Sequence, residues 1–117
     1  MKSETLSEKK CQPCEGKTKP FTKEEAQNYL REVNEWELDS EARTIFRNFN
    51  MKNFKAAIKF INQIGEIAES ENHHPDIHLT GYRKLRIDLS THAIGGLSEN
   101  DFIVAAKINQ VPIELKV

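Results

Sequence analysis

A chain of 117 residues, 38% hydrophobic and 30% charged, has the makeup of one soluble globular domain with a single modest core. Its formal net charge of -1 supplies no general pull toward nucleic acid or an anionic membrane surface, and neither is expected as a partner. No apolar run approaches the ~20 residues needed to span a bilayer, and the start Met-Lys-Ser-Glu-Thr-Leu-Ser-Glu-Lys-Lys holds no apolar stretch for a signal peptide, so the expected location is cytoplasmic.

Residues 1–20 read as a flexible N-terminal arm. They carry Pro13, Gly16, Pro20 and many charges, with Leu6 as the one large aliphatic. The two cysteines of the chain sit here as Cys11-Gln-Pro-Cys14. A lone C-x-x-C can be half a zinc site or a redox pair. Structural zinc takes four ligands and no second cysteine pair exists, so the composition favours a loosely packed segment. A single domain is then expected over residues 21–117.

Thr22-Lys-Glu-Glu25 is a capping box that opens a helix expected to reach Val33, with Ala26, Tyr29, Leu30 and Val33 on one stripe. Trp36–Asp39 and Arg43–Phe49 read as strands joined by Ser40-Glu41-Ala42. Their alternation is imperfect, because Arg43 and Arg47 share a face with Ile45 and Phe49. Residues 51–71 read as a helix whose core stripe is Phe54, Ala57, Ile58, Ile61, Gly65 and Ala68. Lys52, Lys55, Lys59, Gln63 and Glu66 would face water, and the basic run ends where acids resume at Glu66.

Ile77 and Leu79, then Leu85, Ile87 and Leu89, alternate with polar residues around Thr80-Gly81, the pattern of a hairpin with one buried face. Ser98-Glu-Asn-Asp101 starts a last helix, stapled by Leu97 and Phe102 and stopped by Pro112. The order is α-β-β-α-β-β-α. Strand pairs on short turns imply an α+β fold, a four-stranded antiparallel sheet with three helices on one face.

All four histidines fall in one stretch: His73, His74, His78 and His92. Imidazole titrates near neutrality, so such a cluster suits proton transfer or metal binding. His74 and His78 have helical ligand spacing, but Pro75 pushes its predecessor out of the α region and weakens a helical metal site. Acid–base work needs imidazoles held in place by neighbours. His73 and His74 at a helix–strand junction, with Glu69 one turn upstream, provide such a mount. Histidines that merely decorate a helix C-terminus remain the bland alternative.

The pattern Glu69-x-x-x-His73-His74-Pro75-Asp76, followed by Ser90-Thr91-His92 and Gly96-Leu97-Ser98-Glu99-Asn100-Asp101, resembles the pterin-4a-carbinolamine dehydratases. Trp36, Arg43–Phe49 and the Phe54-Lys-Ala-Ala-Ile-Lys-Phe-Ile-Asn segment are similar to the same family, so the likeness covers roughly residues 20–110. The Cys11-x-x-Cys14-Glu-Gly leader is similar to that of bacterial members, and Asn72 stands where some members have an acid. The resemblance implies a four-stranded antiparallel sheet with helices on one side, a homodimer or homotetramer, and no metal or organic cofactor. It implies dehydration of 4a-hydroxytetrahydropterin to the quinonoid dihydropterin during cofactor recycling. His73, His74 and His92 would then be the catalytic, substrate-contacting set. Glu69 and Asp101 would orient them or bind substrate, and His78 falls outside the motif. The alternative is a non-catalytic binding or assembly module on the same fold, coactivator-like or chaperone-like, with a protein partner. A zinc protein using Cys11, Cys14 and histidines is a third reading.

Overall fold

The computed structural model describes residues 5–12 and 19–116. Within them the order is α1 (Lys23–Leu30), β1 (Glu37–Leu38), β2 (Ile45–Asn50), α2 (Phe54–Glu71), β3 (Asp76–Thr80), β4 (Lys84–Leu89) and α3 (Glu99–Asn109). The strands form one antiparallel sheet in the order β1-β2-β4-β3. The α+β fold expected from the sequence is the one found.

The expected capping box opens α1. The Glu25 amide donates to the Thr22 hydroxyl at 3.2 Å and the Thr22 amide donates to the Glu25 carboxylate at 2.8 Å. The helix ends three residues before Val33. Glu32 and Val33 donate to the carbonyls of Tyr29 and Leu30, a tighter turn that still delivers Val33 into the core at 1% exposure.

The flawed alternation of β2 has a structural cause. Ile45 and Phe49 are buried on the inner face, and Arg47 lies between them. Its guanidinium stacks 4.5 Å from the Phe49 ring centroid and donates to Asn109 Oδ1 at 2.7 Å. The same oxygen accepts from the Trp36 indole at 2.9 Å. One amide on α3 thus satisfies two donors that would otherwise be buried without partners.

The core stripe of α2 differs from the expected one. Ala57, Phe60, Ile64, Ala68 and Glu71 face inward, while Phe54 is 52% and Ile58 38% exposed. Two apolar stripes compete on this helix, and hydropathy spacing cannot say which one meets the sheet. Phe60 decides it by packing edge-on against Phe49 at 5.2 Å. On β3, Ile77 is also more open than a buried-face residue should be, at 37%. This strand is the sheet edge, so its inner face is only partly covered.

Helix α3 is buried along most of its length, from Asn100 to Ala106 and at Ile108. A helix buried on nearly every side needs cover on nearly every side. Phe102 packs against the rings of Tyr29 and Phe21, with centroids 5.3 and 6.0 Å away. The N-terminal segment supplies further cover. Leu6, 5% exposed, enters the core from a 3-10 turn at Leu6–Glu8, and Lys107 and Gln110 bond to Ser7. The described part of the expected arm is therefore docked on α3. Leu6 is the one buried apolar residue described in this segment, too little for composition to reveal. Residues 13–18, with Cys14, lie outside the described residues.

Gly96 closes the chain reversal after β4. A Cβ built there would sit 2.7 Å from Pro20 Cβ, inside van der Waals contact with a stiff ring. Next to it, the Phe21 amide donates to the Leu97 carbonyl at 2.8 Å, which holds the two strands of chain together. Gly96→Ala is expected to destabilise the fold by about 1–3 kcal/mol through overpacking. The urea midpoint checks this, and an unchanged midpoint rejects the close approach.

Candidate active site

The end of α2 places the histidine pair. Asn72 adopts the left-handed conformation, φ 51° and ψ 42°, and its amide donates to the carbonyls of Ala68 and Glu69. The His73 amide then returns to the Ala68 carbonyl at 3.1 Å. This is a Schellman-type stop, in which asparagine is one of the few side chains that accept a positive φ. Pro75 follows and β3 begins at Asp76. His73 and His74 are thereby mounted on a short connection fixed at both ends.

The His73 ring reaches α3. Its Nε2 lies 2.6 Å from Asp101 Oδ1, with 12% of the His73 side chain exposed and none of Asp101. Asp101 Oδ2 accepts from the Thr91 hydroxyl at 2.8 Å and from the Ser98 amide at 3.0 Å. The Thr91 and Ser98 hydroxyls are themselves 2.8 Å apart. Thr91 has one proton, and giving it to Asp101 makes it the acceptor from Ser98. Asp101 is thus surrounded by donors and takes the ring N–H of His73 as the remaining one. That choice leaves Nδ1 as the lone-pair nitrogen of a neutral His73.

His74 is held more loosely. Its Nε2 lies 2.5 Å from Glu69 Oε2, with side-chain exposures of 55% and 78%. His92 follows Thr91 at the start of a 3-10 turn, His92–Ile94, which Gly95 closes at a positive φ of 67°. His73, His74 and His92 share one cleft of about 430 Å³ with Cys11, Gln12 and Asn100 in its walls. That volume falls in the ordinary range of small-ligand sites. His78 is elsewhere. It points from β3 onto the open face of the sheet, where Nε2 meets Asp88 Oδ2 at 3.1 Å. Of the proposed carboxylates, Asp101 braces His73 from below the cleft and Glu69 stands beside His74 at its rim.

Several contributors escaped sequence reasoning. Glu71 lies in the cleft wall and accepts from the Cys11 amide at 2.8 Å. Burial would raise its carboxyl, but that amide, with Lys107 and Lys10, outweighs burial and holds it below the ordinary carboxylate value. Its signal was available, since an acid three residues after Ala68 falls on the inward stripe of α2. Thr91 and Ser98 were legible only as motif letters. Burial, and then the negative charge of Glu71, push the Cys11 thiol up to about 12. A thiol protonated at neutral pH is a poor nucleophile and a poor metal ligand. Among the described residues no group of three or more His, Cys, Asp or Glu side chains is arranged to hold a metal ion. No helix among them is long and apolar enough to cross a membrane.

An α+β domain that sets imidazoles against carboxylates around a small cleft has the parts of an acid–base site. Residues 19–111 match the family model described as pterin 4 alpha carbinolamine dehydratase. The chain is 46% identical over 112 residues to the mitochondrial pterin-4-alpha-carbinolamine dehydratase 2 of Arabidopsis thaliana, covering 93% of this chain and 60% of that protein. It is 47% identical over 105 residues to a Halorhodospira halophila relative carrying the same family name, covering 90% and 95% of the two chains. Among solved structures, a transcriptional coactivator/pterin dehydratase from Brucella melitensis superposes with a TM-score of 0.71 at 31% identity, over 77% of this chain and 95% of that one. A pterin dehydratase-like protein described as a RuBisCO assembly factor in the alpha-carboxysome shares the fold, with a TM-score of 0.55 at 19% identity over 65% and 87% of the two chains. The chain belongs to the pterin-4-alpha-carbinolamine dehydratase family. By that membership it is an enzyme of the hydro-lyase class.

Proposed function

We propose that this protein dehydrates 4a-hydroxytetrahydropterin to the quinonoid dihydropterin, using His73, His74 and His92, in tetrahydropterin recycling. The observation that carries the reading is the bond from buried Asp101 to His73, in the wall of a cleft that the other two imidazoles share. The reaction breaks the C4a–O bond and forms a C=N bond in the pterin ring. One proton must reach the departing hydroxyl, which leaves as water, and one must leave a ring nitrogen. Imidazoles can supply both transfers. Asp101 orients His73 by fixing which ring nitrogen is protonated. Glu69 does the same for His74 in a more solvated setting. His78, on the open sheet face, takes no part.

The exposed Phe54–Ile58 face of α2 offers apolar area for the homodimer or homotetramer that the family resemblance implies. The experiment that tests the activity follows the decay of freshly prepared 4a-hydroxytetrahydropterin with and without protein. Decay faster in proportion to protein concentration is the expected result. A rate equal to the uncatalysed one, in a folded sample, rejects the enzyme reading and favours a non-catalytic assembly module.

A further inference from the structure

The first turn of α3 does two things at once. Asp101 holds His73, while its two predecessors hold the N-terminal segment against the cleft. Lys9 Nζ lies 2.9 Å from Glu99 Oε2. The Gln12 amide donates to Asn100 Oδ1 at 3.0 Å and Asn100 Nδ2 donates to the Gln12 carbonyl at 2.6 Å. The Asn100 side chain is 7% exposed by residue and engages both backbone groups of Gln12, as a neighbouring strand would. Between these anchors the Cys11 amide is held by Glu71. Lys9, Cys11 and Gln12 are thus held in place, the last two in the cleft wall, and all of them precede the stretch matched by the family model, 19–111.

We propose that Gln12, positioned by Asn100, is a specificity element of the pterin pocket. The proposal rests on the dehydratase reading above. The chemistry fits a flat heterocycle with an amide-like edge. A pterin presents adjacent donors and acceptors on its pyrimidinone ring, and a glutamine carboxamide carries one of each. A docked backbone lowers the ordering cost of such a contact, which raises affinity without touching the proton transfers. Gln12 therefore contributes to substrate binding, and Asn100 is a positioning residue that acts through it.

The test uses the full chain with Asn100→Ala, Gln12→Ala and the double variant. Two readouts are taken: steady-state kinetics on the carbinolamine, and equilibrium binding of a stable 7,8-dihydropterin followed by its fluorescence. Each single variant is expected to raise KM and Kd about tenfold, the loss of one or two hydrogen bonds, while kcat stays within about twofold. The double variant should be no weaker than Asn100→Ala alone, because both changes act through one side chain. Equal Kd values across the proteins, a fall in kcat at unchanged KM, or absence of dihydropterin binding by the wild type would each overturn the proposal. If Asn100→Ala does not fold, Gln12→Ala, whose side chain is exposed, decides alone. The binding arm separates this inference from the activity. A protein that binds dihydropterin but leaves carbinolamine decay unaltered rejects the dehydratase reading, and the Kd ratio still judges Gln12.

Discussion

Asp101→Asn is expected to give a folded protein that has lost most of its activity. The carboxylate accepts on both oxygens, from His73 on one side and from Thr91 and the Ser98 amide on the other. An amide of the same shape can accept on one side only. The Ser98 backbone N–H cannot reverse its role, so the amide oxygen is expected to take the Oδ2 position. The NH2 group then faces His73 Nε2 and demands an acceptor there. The ring proton must move to Nδ1, which removes the lone pair from the nitrogen that Asp101 leaves free in the wild type. Geometry survives while the tautomer is wrong. Loss of one positioned acid–base group is expected to cost about 10²- to 10⁴-fold in kcat. Stability should fall by only about 1–2 kcal/mol, because a charge-assisted bond is replaced by a neutral one. Stopped-flow dehydration and side-chain nitrogen NMR of His73 read the two effects. A kcat within threefold of wild type, with the Nε2–H tautomer retained, rejects the role given to Asp101.

The sequence carried the fold because its signals were local. The Thr22–Glu25 and Ser98–Asp101 boxes lie where helices α1 and α3 begin, and the alternation of Leu85, Ile87 and Leu89 is the inner face of β4. What it could not carry depends on contacts distant in the chain. The rotation of α2 is decided by Phe60 meeting Phe49, and two apolar stripes on one helix look alike until a sheet chooses between them. Leu6 reads as an isolated aliphatic in a charged leader because its partner, α3, comes about ninety residues later. The same limit applies to the site. The motif brought out the three histidines of the cleft, and separated them from His78. It could not show that consecutive residues of α3 turn toward different tasks, with Asp101 beneath His73 and Asn100 clasping Gln12. Helical geometry advances the side chain by about 100° per residue, so neighbours in sequence serve different parts of one site.

His74→Ala separates chemistry from structure most cleanly. His73 cannot do so, because removing its ring leaves Asp101 buried with one acceptor position vacant and changes the α3 network together with the reaction. His74 has no such attachment. Its contact is with Glu69, and both side chains are more than half exposed. An exposed pair of this kind contributes about 0–1 kcal/mol. The melting temperature and urea midpoint of His74→Ala should therefore match the wild type within about 0.5 kcal/mol. The rate should not match. If His74 exchanges a proton with the substrate, its loss is expected to lower kcat by about 10²-fold or more, with the smaller effect on KM. Glu69→Gln should fall between the two, since it keeps a hydrogen-bond partner for His74 and removes only the charge. His78→Ala supplies the internal control. It is a comparably exposed histidine with its own carboxylate, Asp88, but it does not line the cleft. Unchanged turnover in His78→Ala beside a large loss in His74→Ala is the expected pair of results. Equal losses in both would mean that the cleft does not define where the proton moves.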